Sequence, residues 1–407
     1  MKIAFLTLGC KLNYAETSTY ERGFKAAGYE VVGWRDKADV YLVNTCSVTQ
    51  TSDSKSRNLV RKVHRINPSA SIIVTGCSAQ LRRKSLESIE GVTRVFGCDE
   101  KHLVVPETTG TPATATDPFP AFSTGERTRS FLKVQDGCDN YCAYCTVPYA
   151  RGGSRNIPIA EIVCQAHRIA AEGVREIVLT GVNTGDFGRT TGETFLDLLK
   201  ALNDVEGIER YRISSIEPNL ITAEIIDWIA SGTKFQPHFH IPLQTGSDVL
   251  LQRMGRHYDT KFFEDRIRYI RKAMETPGKP KVFFGIDVMV GLPGETDELF
   301  RQTYGFIERI RPAYIHVFPY SRRPGTPAAL MPDQVDERVK AERVASLEGL
   351  CVSLHSAFIE ENRGIRERVL FESTDRGGTM EGYTGNYIRI ERPYDPALVG
   401  RLTDVVI

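Results

Sequence analysis

Three cysteines lie within eight consecutive positions of the sequence, in the stretch DGCDNYCAYC at residues 136–145. Cys138, Cys142 and Cys145 have the spacing C-x3-C-x2-C, and no fourth cysteine or histidine pair lies nearby. A structural zinc site needs four ligands in a closed tetrahedral shell. Three soft thiolates instead suit an iron–sulfur cluster, and one iron of a four-iron cluster would then have no protein ligand. The spacing therefore predicts a cluster with an open position, at which a substrate or cofactor can coordinate.

The composition of the chain excludes several classes of protein. With 407 residues the chain is too long for a single core, and we expect two or three domains. Nine cysteines, an odd number in a long chain, argue against a disulfide framework and favour a reducing cytoplasm. The apolar runs are only strand-sized, and the start MKIAFLTLG lacks the apolar core of a signal peptide. We therefore expect no membrane span and no secretory leader.

Alternating strand and helix patterns divide the chain into an α/β protein of three domains. Residues 1–105 alternate short apolar strands with helices, which predicts an N-terminal open parallel sheet. Residues 106–128 are rich in Thr, Pro and Ala and are interpreted as a linker. Residues 129–362 contain six strand–helix units and a trailing helix, which indicates a partial (β/α)6 barrel, since a closed one has about eight. Residues 363–407 are predicted to form a small β-barrel, whose final strand is expected to be incomplete.

Three single cysteines in the N-terminal block each follow a predicted strand. Cys10 follows KIAFLTLG, Cys46 follows DVYLVNT and Cys77 follows SIIVTG. The carboxyl ends of parallel strands meet at one edge of a sheet, where ligands collect, so we expect the three thiols to converge. The alternative is three unrelated buried cysteines, because cysteine often behaves as a small apolar residue. Cys98, which follows TRVFG, is a weaker candidate than Cys77.

The C-x3-C-x2-C motif follows the first strand of the predicted barrel, SFLKVQ, on the face where barrel enzymes place their chemistry. A motif with this spacing in this position resembles the radical S-adenosylmethionine (SAM) superfamily. The resemblance implies that the open iron binds SAM and that the reduced cluster cleaves it to a 5′-deoxyadenosyl radical. It also implies that Tyr144 packs against the adenine of SAM.

The resemblance narrows to the methylthiotransferases and covers essentially the whole chain. It rests on FLKVQDGCDNYCAYCTVPYARG, HIPLQTGSDVLLQRMGRHY and GIDVMVGLPGETDE, and on the N-terminal stretches LGCKLNYAET, NTCSVT and TGCSAQ. Membership implies a second, auxiliary [4Fe–4S] cluster on Cys10, Cys46 and Cys77, besides the SAM-binding [4Fe–4S] cluster. It also implies that the C-terminal module is the RNA-associated domain called TRAM.

The opening LGCKLNYAET is most similar to the subgroup that acts on N6-threonylcarbamoyladenosine beside the tRNA anticodon. The implied transferase adds a methylthio group to carbon 2 of that adenine. The implied partners are a tRNA anticodon stem-loop and a reduced electron-donor protein, without DNA or a membrane. Three alternatives remain open: methylthiolation of isopentenyladenosine in tRNA, methylthiolation of a ribosomal-protein side chain, and a non-enzymatic metal-cluster protein that binds RNA.

Further SAM contacts are implied after other strands of the barrel. Gly181 and Asn183 stand where the superfamily usually has Gly-Gly-Glu, and they would admit and contact the methionine amine of SAM. Gln244, Arg256 and Asp287, in QTGS, MGRHY and GIDVMVG, are further expected contacts. The alternative roles are a tight turn for the glycine and a satisfied polar group in the barrel for Asp287.

A basic stretch predicts where RNA binds. Residues 54–86 contain eight Lys or Arg residues and no acidic residue, which favours a phosphate-facing surface over a merely solvated helix. Arg322 and Arg323, after the last barrel strand, are also expected to meet the substrate or the tRNA backbone. The predicted RNA-binding side chains of the basic stretch are Lys55, Arg57, Arg61, Lys62, Arg65, Arg82 and Arg83.

Overall fold

The N-terminal domain is built on five short parallel strands in one sheet. The structure, a computed structural model, describes residues 1–112, 119–125 and 128–407. The strands are β1 (Lys2–Thr7), β2 (Glu30–Val31), β3 (Val40–Thr45), β4 (Ser71–Gly76) and β5 (Val92–Phe96). Their order in the sheet is β2-β1-β3-β4-β5. Every residue of the central strand β3, VYLVNT, is buried, as expected for a strand that is covered on both faces.

Helices cover the two faces of this sheet. They are α1 (Lys11–Ala26), α2 (Gln50–Ile66), α3 (Cys77–Leu81), α4 (Arg83–Glu87) and α5 (Val104–Thr109). Helix α2 begins where the hydroxyl of Thr49 accepts a hydrogen bond from the amide of Ser52. One face of the sheet packs against Val60 of α2, and the other packs against Tyr20 and Phe24 of α1. The loops that follow β1, β3 and β4 consequently lie side by side at one edge.

The second domain contains six parallel strands that form an incomplete barrel. They are β6 (Arg129–Lys133), β9 (Glu176–Thr180), β10 (Arg210–Ile213), β11 (His238–Gln244), β12 (Phe283–Val290) and β13 (Tyr314–Pro319), and a short antiparallel pair, β7 (Gln135–Asp136) and β8 (Arg155–Asn156), follows β6. The barrel strands form two three-stranded sheets, β10-β9-β6 and β11-β12-β13. A parallel bridge between Tyr211 and Phe235 joins the two sheets.

Helices alternate with the barrel strands, as the sequence pattern predicts. They are α6 (Val147–Arg151), α7 (Ile159–Ala171), α8 (Phe195–Asn203), α9 (Ala223–Ala230), α10 (Asp248–Arg253), α11 (Thr260–Met274), α12 (Asp297–Ile310) and α13 (Glu337–Glu361). The side chains of Thr194, Thr222, Asp259 and Thr296 each cap the start of a helix by accepting a hydrogen bond from a backbone amide. The long helix α13 packs along β13, where Cys351 Sγ accepts a hydrogen bond from the strand backbone.

The C-terminal domain is a four-stranded antiparallel sheet at one end of the barrel. Its strands are β14 (Arg366–Phe371), β15 (Thr379–Tyr383), β16 (Arg389–Pro393) and β17 (Leu402–Val406), in the order β16-β15-β14-β17. Arg129 and Arg210, the first residues of β6 and β10, donate hydrogen bonds to the Tyr387 hydroxyl (2.9 Å) and the Tyr383 carbonyl (3.3 Å). The C-terminal domain therefore contacts the amino ends of these strands, and the cysteine motif lies at the opposite end.

The predicted fold class is confirmed, with one difference in the last domain. An open parallel sheet, a partial barrel of six strands and a C-terminal β module follow one another along the chain. The β module is a curled sheet that forms half a barrel rather than a closed one. Short 3-10 helices complete the described elements at Lys101–Leu103, Thr184–Asp186, Pro218–Leu220, Pro327–Ala329 and Pro396–Leu398.

The predicted linker, residues 106–128, is described only in part, because residues 113–118 and 126–127 lie outside the described residues. Its first residues belong to α5. Ala121 and Ser123 exchange backbone hydrogen bonds with β6, at Lys133 and Phe131. The domain limits drawn from the sequence stay predictions. Within the part of the chain that the structure describes, no helix has the length and apolarity needed to span a bilayer.

Candidate active site

The loop from β7 to α6 carries the first group of thiols, Cys138, Cys142 and Cys145, called here the barrel triad. Gly137 has a φ of +71°, and a Cβ there would lie 1.9 Å from the carbonyl oxygen of Gly153, so the loop requires glycine. Burial raises the pKa of the Cys145 thiol to about 12, and the neighbouring charges of Cys142 and Cys138 add to this shift. The three thiols thus share one short loop, as ligands of one cluster can.

Side chains around the barrel triad fit a cluster that binds SAM. The guanidinium of Arg256 donates a hydrogen bond to Cys142 Sγ (3.1 Å) and pairs with the carboxylate of Glu217 (2.7 Å). The side-chain oxygen of Asn183 is buried and has no hydrogen-bond partner among the described residues. An unsatisfied buried acceptor is unusual in a folded protein, and an amine of a bound ligand would satisfy it. Arg256 thus lies beside the barrel triad, and SAM contacts at Arg256 and Asn183 stay predictions.

Gln135 connects the motif loop to the loop after β9. Its side-chain oxygen accepts hydrogen bonds from the amides of Val182 (2.9 Å) and Asn183 (3.0 Å), and its side-chain nitrogen donates to the Gly137 carbonyl (2.7 Å). A Cβ at Gly181 would lie 2.9 Å from the Gln135 oxygen, so glycine allows this close approach. Gln135 was not expected from the sequence, although a polar residue that ends the apolar strand SFLKVQ was the available signal.

The remaining predicted SAM contacts lie on different elements around the barrel. Gln244 ends β11 with a φ of +70°, at an irregularity in the pairing with β12. Asp287 lies 2.8 Å from His240 Nε2, and His316 on β13 completes a group whose ligand atoms all lie within 4.8 Å of one another. Tyr144 packs against an apolar cluster that includes residues of α10. SAM contacts at Gln244, Asp287 and Tyr144 stay predictions.

The second group of thiols, Cys10, Cys46 and Cys77, is called here the N-terminal triad. Its members follow β1, β3 and β4, which are adjacent in the sheet. A Cβ at Gly9 would lie 3.1 Å from Cys46 Sγ, so the loop before Cys10 passes directly beside the second cysteine. Burial raises the pKa of the Cys46 thiol to about 11, with smaller contributions from the charges of Cys77 and Cys10. The structure thus brings together the three thiols that the sequence predicted to converge.

Cys98 lies beside Cys77 and lowers the pKa of the Cys77 thiol. A hydrogen bond from Cys98 lowers the pKa of the Cys77 thiol to about 5, and the cations Arg151 and Lys101 act in the same direction, although burial opposes them. A low thiol pKa favours the thiolate, which is the form that binds a metal. Cys98 thus supplies a second thiol next to Cys77, and the choice of Cys77 as the ligand stays a prediction.

The segments that carry the two triads contact each other across the boundary between the first two domains. Thr146, which follows the barrel triad, donates a hydrogen bond to the carbonyl of Ser47, which follows the second cysteine of the N-terminal triad (3.4 Å). Arg151 of α6 donates to the side-chain oxygen of Asn13 of α1 (2.7 Å). Helix α3, which begins with Cys77, packs against α6. The loops that carry the two groups of thiols are therefore neighbours, and their action on one bound molecule stays a prediction.

A buried network of charges holds the two domains together beside the triads. Glu16 of α1 pairs with Lys101 (2.7 Å), Lys133 (3.1 Å) and Arg151 (3.3 Å). Asp136 pairs with Arg151 (2.8 Å) and Lys133 (2.6 Å). Burial alone would raise the pKa of Glu16, but the three cations hold it at about 2. This network was not expected from the sequence, where its members are up to 135 residues apart.

Replacing Arg151 by methionine is expected to lower the free energy of unfolding by about 3–5 kcal/mol, because Glu16 and Asp136 would lose a buried cation. Urea denaturation of the cluster-free chain, followed by the fluorescence of Trp34 and Trp228, would measure the change in both domains. The exposed Arg168, changed to methionine, is the matched control. A loss no larger than that of the control would show that the network does not stabilise the domain interface.

The predicted RNA-binding residues divide into exposed and buried side chains. Most are exposed or half-buried, among them Arg322. Arg83 is half-buried and pairs with Glu100. Arg323 does not fit the predicted role, because its side chain is 2% exposed and pairs with Asp53 of α2 at 2.5 Å. It joins α2 to the last barrel strand and is not available to a phosphate.

Comparison with known proteins first shows which superfamily the chain resembles in sequence and in fold. The family described as Uncharacterized protein family UPF0004 matches residues 2–97, and the radical SAM superfamily matches residues 132–307. The structure is similar to the radical SAM methyltransferase TsrM of Kitasatospora setae, with a TM-score of 0.59, 15% identity and coverage of 81% of this chain and 77% of that one. It is also similar to OxsB, a cobalamin-dependent SAM radical enzyme, with a TM-score of 0.51, 12% identity and coverage of 88% and 56%. The fold and the barrel triad are those of a radical SAM protein.

Relatives by sequence identify the family within that class. The chain is 39% identical over 427 residues to the threonylcarbamoyladenosine tRNA methylthiotransferase MtaB of Bacillus subtilis, covering 100% of this chain and 93% of the relative. It is 37% identical over 423 residues to the protein of the same name from Aquifex aeolicus, covering 100% of both. It is 32% identical over 430 residues to the tRNA-2-methylthio-N(6)-dimethylallyladenosine synthase of Pelotomaculum thermopropionicum, covering 100% and 95%. The chain belongs to the radical SAM methylthiotransferase family.

Proposed function

We propose that this protein is a tRNA methylthiotransferase that adds a methylthio group to carbon 2 of N6-threonylcarbamoyladenosine beside the anticodon. The observation that carries the proposal is the direct contact between the segments that carry the two thiol triads. The proposed reaction removes hydrogen from a carbon and places sulfur on the same carbon. The group that forms the radical and the group that supplies the sulfur must therefore both reach that one atom. A purely structural role for the thiols would not require the segments that carry the two triads to contact each other.

The chain itself would position the reacting groups. Each triad would hold a [4Fe–4S] cluster, and the one in the barrel, with SAM, supplies the radical chemistry that an unactivated aromatic C–H bond requires. Arg256, next to Cys142, and Asn183, with its unsatisfied oxygen, would orient SAM at the barrel triad. The ion pair between Glu16 and Arg151 joins the two domains beside the triads and would hold the two clusters in a fixed relative position.

The threonylcarbamoyl substrate is favoured over the alternatives. The relatives that carry that substrate in their name reach 39% and 37% identity, whereas a dimethylallyladenosine synthase reaches 32%. The basic surface of the N-terminal domain argues against a ribosomal-protein substrate. A non-enzymatic RNA-binding protein would not need the unsatisfied Asn183 oxygen or the arginine on a cysteine sulfur.

The tRNA would lie across α2 and the opening between the triads. Four cations of α2, called here the α2 basic face, are exposed: Lys55, Arg61, Lys62 and Arg65. The first turn of α2 contacts Ser321, next to the exposed Arg322. Beside the barrel triad, Tyr141 and Tyr149 are 55% and 50% exposed and their ring centroids are 5.8 Å apart. Exposed aromatic rings suit the unstacked bases of an RNA loop.

The same proposal includes the other expected partners and the compartment. A reduced electron-donor protein supplies the electrons that SAM cleavage consumes, and DNA has no part in the reaction. All nine cysteines are free thiols, as a reducing cytoplasm would keep them.

Reversing two charges of the α2 basic face, with Arg61→Glu and Arg65→Glu together, is expected to weaken tRNA binding at least about tenfold. The slope of log K against log salt should fall by about two, because about one unit is lost for each phosphate contact. Fluorescence anisotropy with a labelled anticodon stem-loop at several salt concentrations measures both quantities. Lys272→Glu with Lys279→Glu makes the same change of net charge at other exposed positions. An equal loss in that control would contradict a specific role for α2.

A competition between substrates tests the proposed function. The protein, reconstituted without oxygen and reduced with dithionite, would receive SAM and an equimolar mixture of two anticodon stem-loops, one with threonylcarbamoyladenosine and one with isopentenyladenosine. Mass spectrometry of the digested RNA is expected to find the methylthio group on threonylcarbamoyladenosine alone. A methylthio group on isopentenyladenosine alone would show that isopentenyladenosine is the substrate instead. Intact clusters without cleavage of SAM would contradict the enzymatic role.

A further inference from the structure

An unpaired lysine lies next to the N-terminal triad. Lys11 directly follows Cys10 and is the first residue of α1. Its side chain is half-buried, and within the described ranges it forms no hydrogen bond or ion pair. A cation at the amino end of a helix also opposes the helix dipole. Neither helix stability nor a local ion pair therefore accounts for a lysine at this position.

The ammonium group of Lys11 lies within electrostatic reach of the barrel interior. The ionisable groups that act on it are Tyr387 of the C-terminal domain, then Arg129 on β6, Arg212 on β10 and Asp287 on β12. All four already have partners, in the pairs Tyr387–Arg129 (2.9 Å), Arg129–Glu372, Arg212–Glu176 (2.7 Å) and Asp287–His240 (2.8 Å). Among these groups, Lys11 is thus the cation that has no anionic partner within the described residues. Burying part of a charge without a partner costs free energy.

The proposed substrate supplies a matching anion at the right place. Carbon 2 must lie between the two triads if both act on it, and Lys11 adjoins one of them. In adenine, only one ring nitrogen separates carbon 2 from the carbon that carries N6, so the N6 substituent lies on the same side of the base. The threonylcarbamoyl group ends in a carboxylate, whereas the isopentenyl group is an uncharged hydrocarbon.

We propose that Lys11 binds the carboxylate of the threonylcarbamoyl group and thereby selects this substrate over bases whose N6 substituent is uncharged. The inference rests on the proposed function and deepens it. Lys11 is a specificity-determining residue: it contacts the substrate away from the reacting carbon, and neither cluster depends on it. A charge-assisted hydrogen bond of this kind corresponds to an affinity difference of about tenfold to a hundredfold.

The test compares two RNA probes on the reconstituted protein. One anticodon stem-loop carries threonylcarbamoyladenosine, and the other carries the same nucleoside with its carboxylate converted to the neutral carboxamide. Anisotropy at fixed salt gives the ratio of the two dissociation constants for the unchanged protein, for Lys11→Met, for Lys11→Arg and for the exposed control Lys37→Met. The unchanged protein and Lys37→Met are expected to prefer the acid about tenfold or more. Lys11→Met should bind both probes equally, and Lys11→Arg should keep part of the preference.

The outcomes separate this inference from the proposed function. If the unchanged protein binds the acid and the amide equally, the proposal for Lys11 fails without reference to any variant. If Lys11→Met keeps the preference but loses iron, the lysine compensates the charge of the N-terminal triad, and the proposal fails. If the unchanged protein places no methylthio group on either probe, the proposed function fails, whereas the binding ratio still decides the role of Lys11.

Discussion

Alanine in place of Cys142 is expected to abolish SAM cleavage and to remove about four of the protein's roughly eight iron atoms. Cys142 belongs to the barrel triad, and its sulfur accepts the hydrogen bond from Arg256. With two thiolates left, a four-iron cluster loses a ligand that no nearby side chain replaces, because the other cysteines of the loop are already used. Iron and sulfide analysis, with chromatography of 5′-deoxyadenosine, measures both effects.

The matched control for this variant is Cys164→Ala. Cys164 is an exposed free cysteine on α7, away from both triads, so its replacement should leave the iron content and SAM cleavage unchanged. SAM cleavage at the normal rate by Cys142→Ala would show that the barrel triad does not hold the SAM-binding cluster.

Alanine in place of Cys46 is expected to separate the two halves of the reaction. The variant should lose the other group of about four irons, keep the cleavage of SAM, and place no methylthio group on tRNA. Cys46 is the best choice within the N-terminal triad, because Cys98 lies beside Cys77 and could replace it as a ligand. Measuring 5′-deoxyadenosine and the modified nucleoside in the same sample shows whether cleavage continues without sulfur transfer.

Cys98→Ala is the informative comparison for Cys46→Ala. If Cys77 is the ligand, as the sequence predicts, Cys98→Ala should retain iron and methylthio transfer. Methylthio transfer by Cys46→Ala at the normal rate would contradict a role for the N-terminal triad in supplying the sulfur.

Much of the fold could be predicted because its strands are short, apolar and regularly spaced. SFLKVQ, EIVLTG and YIHVFPY each contain a barrel strand, and the six-strand count is confirmed. The same rule located the thiols, since a cysteine one step past a parallel strand must lie at the carboxyl edge of the sheet. The predicted C-terminal β-barrel is half a barrel in the structure, because strand patterns give the number of strands and not how far the sheet closes.

The charged residues of the site were harder to predict. Arg323 looked like a surface cation, but it pairs with Asp53, which is 270 residues away in sequence. No pattern in the sequence singles out Glu16, whose carboxylate pairs with three buried cations. A sequence shows that a side chain is charged, but only the packing of distant elements decides whether water or another side chain is its partner.

One isotope measurement tests most directly the central claim that both triads act at carbon 2 of a single adenine. A stem-loop whose threonylcarbamoyladenosine carries deuterium at carbon 2 would be incubated with the reduced, reconstituted protein and SAM. We predict that deuterium appears in 5′-deoxyadenosine and that the same nucleoside gains a methylthio group in place of that deuterium. A methylthio group formed while deuterium stays on carbon 2, or deuterium absent from 5′-deoxyadenosine, would contradict the account.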